Sequence, residues 1–408
     1  MVAAAPVVLV GGGHAAAAFV ASVRRAGFEG EVVLVGAEPV LPYHRPPLSK
    51  KYLCERVPVE QMLIRAPSWY DAQRVQLRLG TRVQRIDRAA RCIVLAGGAT
   101  LHYSQLVLLT GARARRLPAH IGGALRNVLT MRSLADADAL APLLVGGARV
   151  LVVGGGYVGL EAAAVAASKG LQVTLLEAAP RILQRVAAAP TAAWLRALHQ
   201  RHGVLIREGT ALRRLLAGGE RVCGAELADG SRIAADLVLV GIGAEPEVEL
   251  ARQAGLAIDD GIAVDAFCRT SDEAILAAGD CCSFEFDGRR LRLESVHNAN
   301  EQAAAAALSV AGQPRAYAPL PWFWSDQYDC KLQIAGLNVG HDDVVLRRGS
   351  SARSQSAWYF RGERLLAVDA INDAAAFVMA RKLLEHGGGG VPKAAVADPA
   401  SDPMGWLQ

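Results

Sequence analysis

Two stretches of the chain repeat one pattern of apolar and polar positions. Val7-Val-Leu-Val10 is a continuous apolar run that meets Gly11-Gly-Gly13 and then a helical pattern over Ala15 to Arg25. Val150-Leu-Val-Val153 does the same, with Gly154-Gly-Gly156 and a helical pattern over Val158 to Lys169. Short apolar runs bounded by glycine predict strands buried on both faces, and the change to a 3.6-residue period predicts the helices behind them. Each unit then reaches a second apolar run with an acid at its end: Val32 to Val35 with Glu38, and Val173 to Leu176 with Glu177.

Three more runs end in glycine: Leu106 to Leu109 before Gly111, Leu237 to Val240 before Gly241 and Gly243, and Ile275 to Ala278 before Gly279-Asp280. From about Trp324 the pattern changes. Lys331 to Ile334 and Leu365 to Val368 alternate, which predicts antiparallel strands, and Ala374 to Leu384 predicts a helix ending at Gly387 to Gly390. Residues after Val391 carry proline and alanine and predict a loosely held extension. The order predicts an α/β chain with one nucleotide-binding domain inserted into another. The expected domains are residues 1–113 with 245–323, residues 114–244, and a C-terminal α+β domain over 324–408.

The glycines carry chemistry as well as shape. A strand–glycine–helix turn lets backbone approach a pyrophosphate at a helix N-terminus, and an acid about 20 residues on accepts from a ribose hydroxyl. Ala16 stands at the third glycine position of the first turn, a permitted variant, whereas Gly159 fills it in the second. Two complete Rossmann-like units predict two dinucleotides and a reaction that joins them. Against this stands the plain reading of each turn as a tight connection, which the agreement of strand, spacing, helix and acid outweighs.

Composition narrows the class. The chain has 408 residues, 52% hydrophobic and 20% charged, enough for two or three globular domains. Its 44 basic and 39 acidic residues leave a net charge of +5, with no Lys/Arg run, so nucleic acid is an unsuitable partner and an acidic protein a suitable one. Seven scattered cysteines without a CxxC pair fit a reducing compartment, and no apolar stretch of spanning length or signal-peptide pattern is present. A cytoplasmic location with no membrane association and no metal site is the expectation. Cys281-Cys282 read as small packed residues.

Several segments together resemble the FAD-containing, NADH-dependent ferredoxin reductases that serve bacterial oxygenases. They are Tyr43-His-Arg-Pro-Pro-Leu-Ser-Lys50, Leu109-Thr-Gly-Ala-Arg113, Ala277-Ala-Gly-Asp280, Leu293-Glu-Ser-Val296 and Pro321-Trp-Phe-Trp-Ser-Asp-Gln-Tyr328. The resemblance runs nearly end to end and implies a glutathione-reductase-like arrangement of the two nucleotide-binding domains. It implies that Gly11, Gly13, His14, Ala15 and Ala16 cradle the FAD pyrophosphate, with Glu38 on the ribose and Val83 at adenine. Arg45 and Lys50 would lie along the flavin, Thr110, Gly111, Ala112 and Arg132 would add FAD contacts, Asp280 would take the ribityl chain, and Val296 would sit by the ring. In the second unit Gly154, Gly156 and Gly159, with Tyr157, Val158 and Gly243, would receive NADH, and Glu177 its ribose. A carboxylate there repels a 2′-phosphate, which favours NADH over NADPH even with Arg181 and Arg185 downstream.

Lys50 and Glu161 are the expected catalytic pair. A cation near the flavin would stabilise negative charge built up on reduction, and Glu161 could balance it. The bland alternatives are a surface-turn lysine and an acid favoured at a helix start. No redox CxxxxC is present; the corresponding region is Leu41-Pro-Tyr-His-Arg-Pro-Pro47, with Cys54 alone beyond it. Electrons taken from NADH are therefore expected to leave outward, to a 2Fe–2S ferredoxin feeding a monooxygenase or dioxygenase. The alternatives are an NADH oxidase, a rubredoxin reductase, or a redox-switched binding flavoprotein like apoptosis-inducing factor. His297 departs from the proline common at that position and reads as packing or local polarity. Trp322 and Trp324 read either as aromatics over the flavin or as core, and Arg289, Arg290 and Arg292 either as partner contacts or as a solvated hairpin.

Overall fold

The computed structural model describes residues 5–401, 405 and 406. The chain forms two compact units: Met1–His44 with Val57–Arg113 and Ala244–Pro319, and Arg45–Arg56 with Ala114–Gly243 and Leu320–Gln408.

The first unit is built on a five-stranded parallel sheet in the order Ile275–Ala277, Gln105–Leu108, Val7–Val10, Val32–Val35, Val75–Arg78. The central strands Val7–Val10 and Val32–Val35 are apolar throughout because both faces are covered, whereas the edge strand Val75–Arg78 carries Gln76 and Arg78. Val7, Leu9, Val32 and Leu34 face a core with Phe19, Val20, Ala303 and Ala306 from the helices His14–Arg25 and Val296–Val310. Val8, Val10, Val33 and Val35 face Val83, Ile86 and Ile93 of a three-stranded antiparallel sheet. Ile275–Ala277 pairs with Gln105–Leu108 in parallel, so the chain rejoins this sheet after a long excursion.

The second unit repeats the design with a parallel sheet ordered Leu205–Arg207, Gln172–Leu176, Arg149–Val153, Leu237–Val240, Val128–Leu129. A five-stranded antiparallel sheet from Trp322 to Ile371 carries the helix Ala374–Glu385, and its first strand, Trp322–Gln327, packs against the helix Tyr157–Ser168. There the Tyr157 ring lies 4.8 Å from that of Phe323.

The segment after Val391 is not loose. Val391, Val396 and Trp406 join the C-terminal core, and Lys393–Ala397 is helical. The buried Arg347 guanidinium donates to the carbonyls of Ala395, Val396, Asp398, Pro399 and Ser401 and lies 5.3 Å from the Trp406 ring centroid. Proline and alanine leave carbonyls without local partners; one arginine from a distant strand supplies the donors. Residues 402–404 and 407–408 of that expected extension lie outside the described residues. Among the described residues no helix is long and apolar enough to cross a membrane.

Candidate functional site

The two glycine turns have the same geometry. Gly11 and Gly154 sit at φ +124° and +106°, where side chains are strained, and a Cβ on either would lie 2.1 Å from the Leu109 carbonyl oxygen or 2.4 Å from that of Gly241. Gly159 is required by close packing, since its Cβ would fall 2.0 Å from the Gly154 oxygen. Gly13 and Gly156, the helix N-caps, have ordinary φ of −103° and −81°, and a Cβ on either would meet nothing within 4 Å. Neither backbone strain nor packing demands glycine at 13 or 156. The open space in front of these two caps, at the N-termini of 12-residue helices, fits a pyrophosphate in each unit.

In the first unit His14, Ala15 and Ala16 form the buried start of the first helix. Glu38 accepts a hydrogen bond from the Tyr43 hydroxyl at 2.7 Å, which fixes its carboxylate beyond the second strand. The Val83 side chain is buried in the core, so any adenine contact it makes is through main chain. Thr110 donates to the Glu247 carbonyl at 2.6 Å, Gly111 at φ +70° accepts from the Glu247 amide, and Ala112 is buried beside them. Asp280 follows Gly279, whose φ is +85° and whose amide donates to Gln302 Oε1 at 2.8 Å. Val296 opens the helix Val296–Val310, capped by Ser295, and His297 pairs with Glu301 at 3.0 Å, one turn on.

In the second unit Glu177 is held by its own turn. Its carboxylate accepts from the Gly155 amide and the Ala179 amide, both at 2.7 Å, and keeps lone pairs for a ribose diol. Arg181 donates to the Ile182 and Gln184 carbonyls at 3.4 Å, within its own loop. Tyr157 and Val158 begin the helix, the first with a buried hydroxyl and the second exposed, and Gly243 accepts from the Arg115 amide.

Lys50 and Glu161 meet. Lys50 Nζ lies 3.3 Å from Glu161 Oε1 and 3.4 Å from Asp326 Oδ2. Glu161 is only 8% exposed; burial pushes its carboxyl up, while Lys50, Ser325 and Ser49 pull it down. Ser325 Oγ donates to Oε1 at 2.7 Å and Ser49 Oγ to Oε2 at 2.9 Å. The segment Arg45–Arg56 that carries Lys50 is tied to the second unit: Arg45 donates to the Arg132 carbonyl at 3.0 Å and Tyr52 to Asp138 at 2.5 Å. Ser49, Ser325 and Asp326 are absent from the expected site. Ser325 stands 164 positions from Glu161, out of reach of any local pattern. The available signal was its place in the narrow Pro321–Tyr328 segment, where alternate strand residues share a face.

The remaining candidates resolve simply. Cys281 and Cys282 are free, fully buried thiols bonded to the Leu108, Ala278 and Gly279 carbonyls and to Gln302. Trp322 packs on Trp324 and on Phe377, against the core of the antiparallel sheet and the helix Ala374–Glu385. Arg290 pairs with Asp259 and Glu285, and Arg292 with Glu294 and Asp260, while Arg289 is exposed.

Residues 5–303 match the pyridine nucleotide-disulphide oxidoreductase family and residues 322–404 the reductase C-terminal family. The chain is 40% identical over 384 residues to putidaredoxin reductase CamA of Pseudomonas putida, covering 93% of this chain and 91% of that one. It is 42% identical over 402 residues to the ferredoxin–NAD(+) reductase component of the anthranilate 1,2-dioxygenase system of Burkholderia cepacia, covering 97% of each. Among solved structures, the reductase of the covalent putidaredoxin reductase–putidaredoxin complex superposes with a TM-score of 0.95 at 38% identity, over 99% of this chain and 98% of that one. Two glycine turns fit for pyrophosphates, no redox disulfide and an end-to-end match in sequence and fold lead to one assignment: the chain belongs to the pyridine nucleotide-disulphide oxidoreductases, among their FAD-dependent ferredoxin reductases.

Proposed function

We propose that this protein passes electrons from NADH, by way of bound FAD, to a 2Fe–2S ferredoxin that supplies an oxygenase, and that it works in the cytoplasm. The observation that carries the proposal is the pair of open glycine caps at Gly13 and Gly156 in a chain whose seven cysteines are all free. Two dinucleotides are accommodated, and no disulfide lies between them and the outgoing electrons. FAD, when bound, accepts a hydride equivalent from a nicotinamide and releases electrons singly to a one-electron carrier.

The proposed FAD domain over 1–113 and 245–323, which the first unit matches except for Arg45–Arg56 and residues 320–323, would hold FAD through the Gly11–Ala16 turn, Glu38, Thr110 to Ala112 and Asp280. The segment 114–244 would hold NADH through the Gly154–Gly159 turn and Glu177. Glu177 binds and orients a ribose with a free 2′-hydroxyl; Arg181, spent on its own loop carbonyls, offers little to a 2′-phosphate. Lys50 supplies a fixed positive charge for the reduction step, and Glu161 balances it between turnovers. Docking of the acidic carrier is a weak and salt-sensitive encounter.

The test is steady-state NADH oxidation by the FAD-loaded enzyme with a purified 2Fe–2S ferredoxin, a rubredoxin, or oxygen alone. Turnover with the ferredoxin at least about tenfold above oxygen alone supports the proposal; equal rates make the protein an oxidase. Lys50→Met should slow flavin reduction by NADH by about tenfold or more, and an unchanged rate removes Lys50 from the chemistry.

A further inference from the structure

Glu161 is the inner end of a hydrogen-bonded chain with a single direction. Ser325 Oγ donates to Glu161 Oε1 at 2.7 Å. Gln327 Nε2 donates to that Ser325 oxygen at 3.0 Å. Gln327 Oε1 lies 2.8 Å from His199 Nε2, and His199 Nδ1 lies 3.3 Å from the Tyr328 hydroxyl. A carbonyl oxygen only accepts, so Nε2 carries the histidine proton and Nδ1 accepts from Tyr328. Every donor therefore points toward Glu161: Tyr328, His199, Gln327, Ser325. Ser325, Gln327 and His199 are 0%, 2% and 0% exposed. Ser325 and Gln327 share a face of one strand, and His199 comes from the helix Ala189–Arg201. At the outer end the Tyr328 ring stacks on His202, 3.7 Å between centroids, beside a surface cavity of about 330 Å³.

A serine hydroxyl can rotate toward any nearby acceptor. Here Gln327 donates to one of its lone pairs and Glu161 accepts its proton. Aligned donors polarise one another, so each bond in such a chain strengthens the next. The amide of Gln327 does not conduct protons, so the chain orients charge rather than transporting it. Burial keeps His199 neutral, its imidazole lowered to about 4, and a second proton on that ring would leave Nδ1 unable to accept from Tyr328.

We propose that Ser325, Gln327 and His199 are positioning residues that hold Glu161 ionised and aimed at Lys50, so that the charge balance of the reduction step is set from the C-terminal sheet. The inference rests on the reading of Lys50 and Glu161 given above. The charged and titratable groups facing this chain are Lys50 and, through it, Asp326 at the Glu161 end, with His202 and Tyr328 at the His199 end; Ser49 holds the other Glu161 oxygen.

The experiment is an infrared pH titration of the FAD-loaded enzyme, following the protonated-carboxyl band that Glu161→Gln removes, alongside the pH profile of flavin reduction by NADH. Ser325→Ala should raise the Glu161 titration and the acid limb of the profile by about one pH unit, the loss of one charge-assisted hydrogen bond, and Gln327→Met, which removes only the neutral bond behind it, should raise both in the same direction by less. Ser325→Thr, which keeps the hydroxyl, should restore both. Flavin content and the unfolding temperature establish that each variant is folded, and an effect that follows instability alone, with the titration unmoved, overturns the proposal. Unchanged titrations in Ser325→Ala and Gln327→Met, with the band still lost in Glu161→Gln, overturn the chain but leave the Lys50–Glu161 reading standing. A wild-type acid limb persisting in Glu161→Gln sinks both.

Discussion

Gly13 and Gly156 are glycines that the protein's own backbone does not need. Their φ values are accessible to any residue, and a methyl group on either would touch no protein atom. On the proposed reading, alanine would occupy the space where a pyrophosphate approaches a helix cap. Gly13→Ala should therefore leave the apo protein's unfolding temperature unchanged while weakening FAD retention by about tenfold or more. Gly156→Ala should leave FAD in place and raise the KM for NADH. Gly159→Ala is the contrast, because its Cβ collides with the Gly154 carbonyl oxygen and should destabilise the fold itself. Flavin absorbance per chain and apo unfolding curves separate the three cases. A Gly13→Ala protein that keeps its FAD removes the pyrophosphate from the first turn. The glycines were legible in the sequence because phosphate contact, tight turning and close packing each demand that residue at a fixed offset. Ser49, Ser325 and Gln327 stand in segments that carry the resemblance, but their contacts were not legible, because those exist only where segments more than a hundred positions apart converge on Glu161 and His199.

Elements declare themselves when their pattern is local. The parallel strands Val7–Val10 and Arg149–Val153 were visible as continuous apolar runs because both faces are covered, and the helices behind them by their period. The antiparallel strand around Lys331 alternates because Lys331 is exposed and Leu332 buried, whereas the strand around Leu365 is buried over most of its length. The segment after Val391 misled, since its proline and alanine carry no sign of the distant donor that fixes them. Arg347, on the strand Asp343–Arg348, holds five of its carbonyls. Arg347→Met keeps the bulk and removes every donor, leaving five partly buried carbonyls without that partner. A loss of about 2–4 kcal/mol in stability is expected, with early proteolytic cleavage after Val391. Cleavage at the wild-type rate would mean that Val396 and Trp406 alone hold the segment. The grouping of Arg45–Arg56 with the second unit was equally hidden, resting on Arg45–Arg132 and Tyr52–Asp138 contacts across more than eighty positions.

The whole molecule carries a modest positive charge, +5, against a proposed acidic carrier. Ferredoxin-dependent turnover should fall as salt rises from about 50 to about 500 mM, while flavin reduction by NADH changes much less, since screening acts on exposed charges at long range. Parallel decline of both would place the salt effect on NADH instead. Folding stability has its own pH dependence, dominated at one point by Asp369. This carboxyl is 1% exposed on the strand Arg364–Ile371 and accepts from Thr191 at 2.8 Å and from Tyr359. Burial raises it from 3.8 to about 6, outweighing the Tyr359 and Thr191 hydrogen bonds and the charge of His341 that pull it down. Between those values the native state holds a proton that the unfolded chain has released. The stabilisation is therefore full below about pH 4 and is lost as pH rises through about 6, by no more than about 3 kcal/mol. Asp369→Asn keeps an acceptor for Thr191 and Tyr359 but has no proton to lose. The difference in urea midpoint between wild type and Asp369→Asn should thus change steadily from about pH 4 to about pH 7, the variant gaining relative to wild type as pH rises. Other carboxylates cancel in that difference. A difference that stays flat across the window would show that Asp369 is ionised in the folded protein throughout.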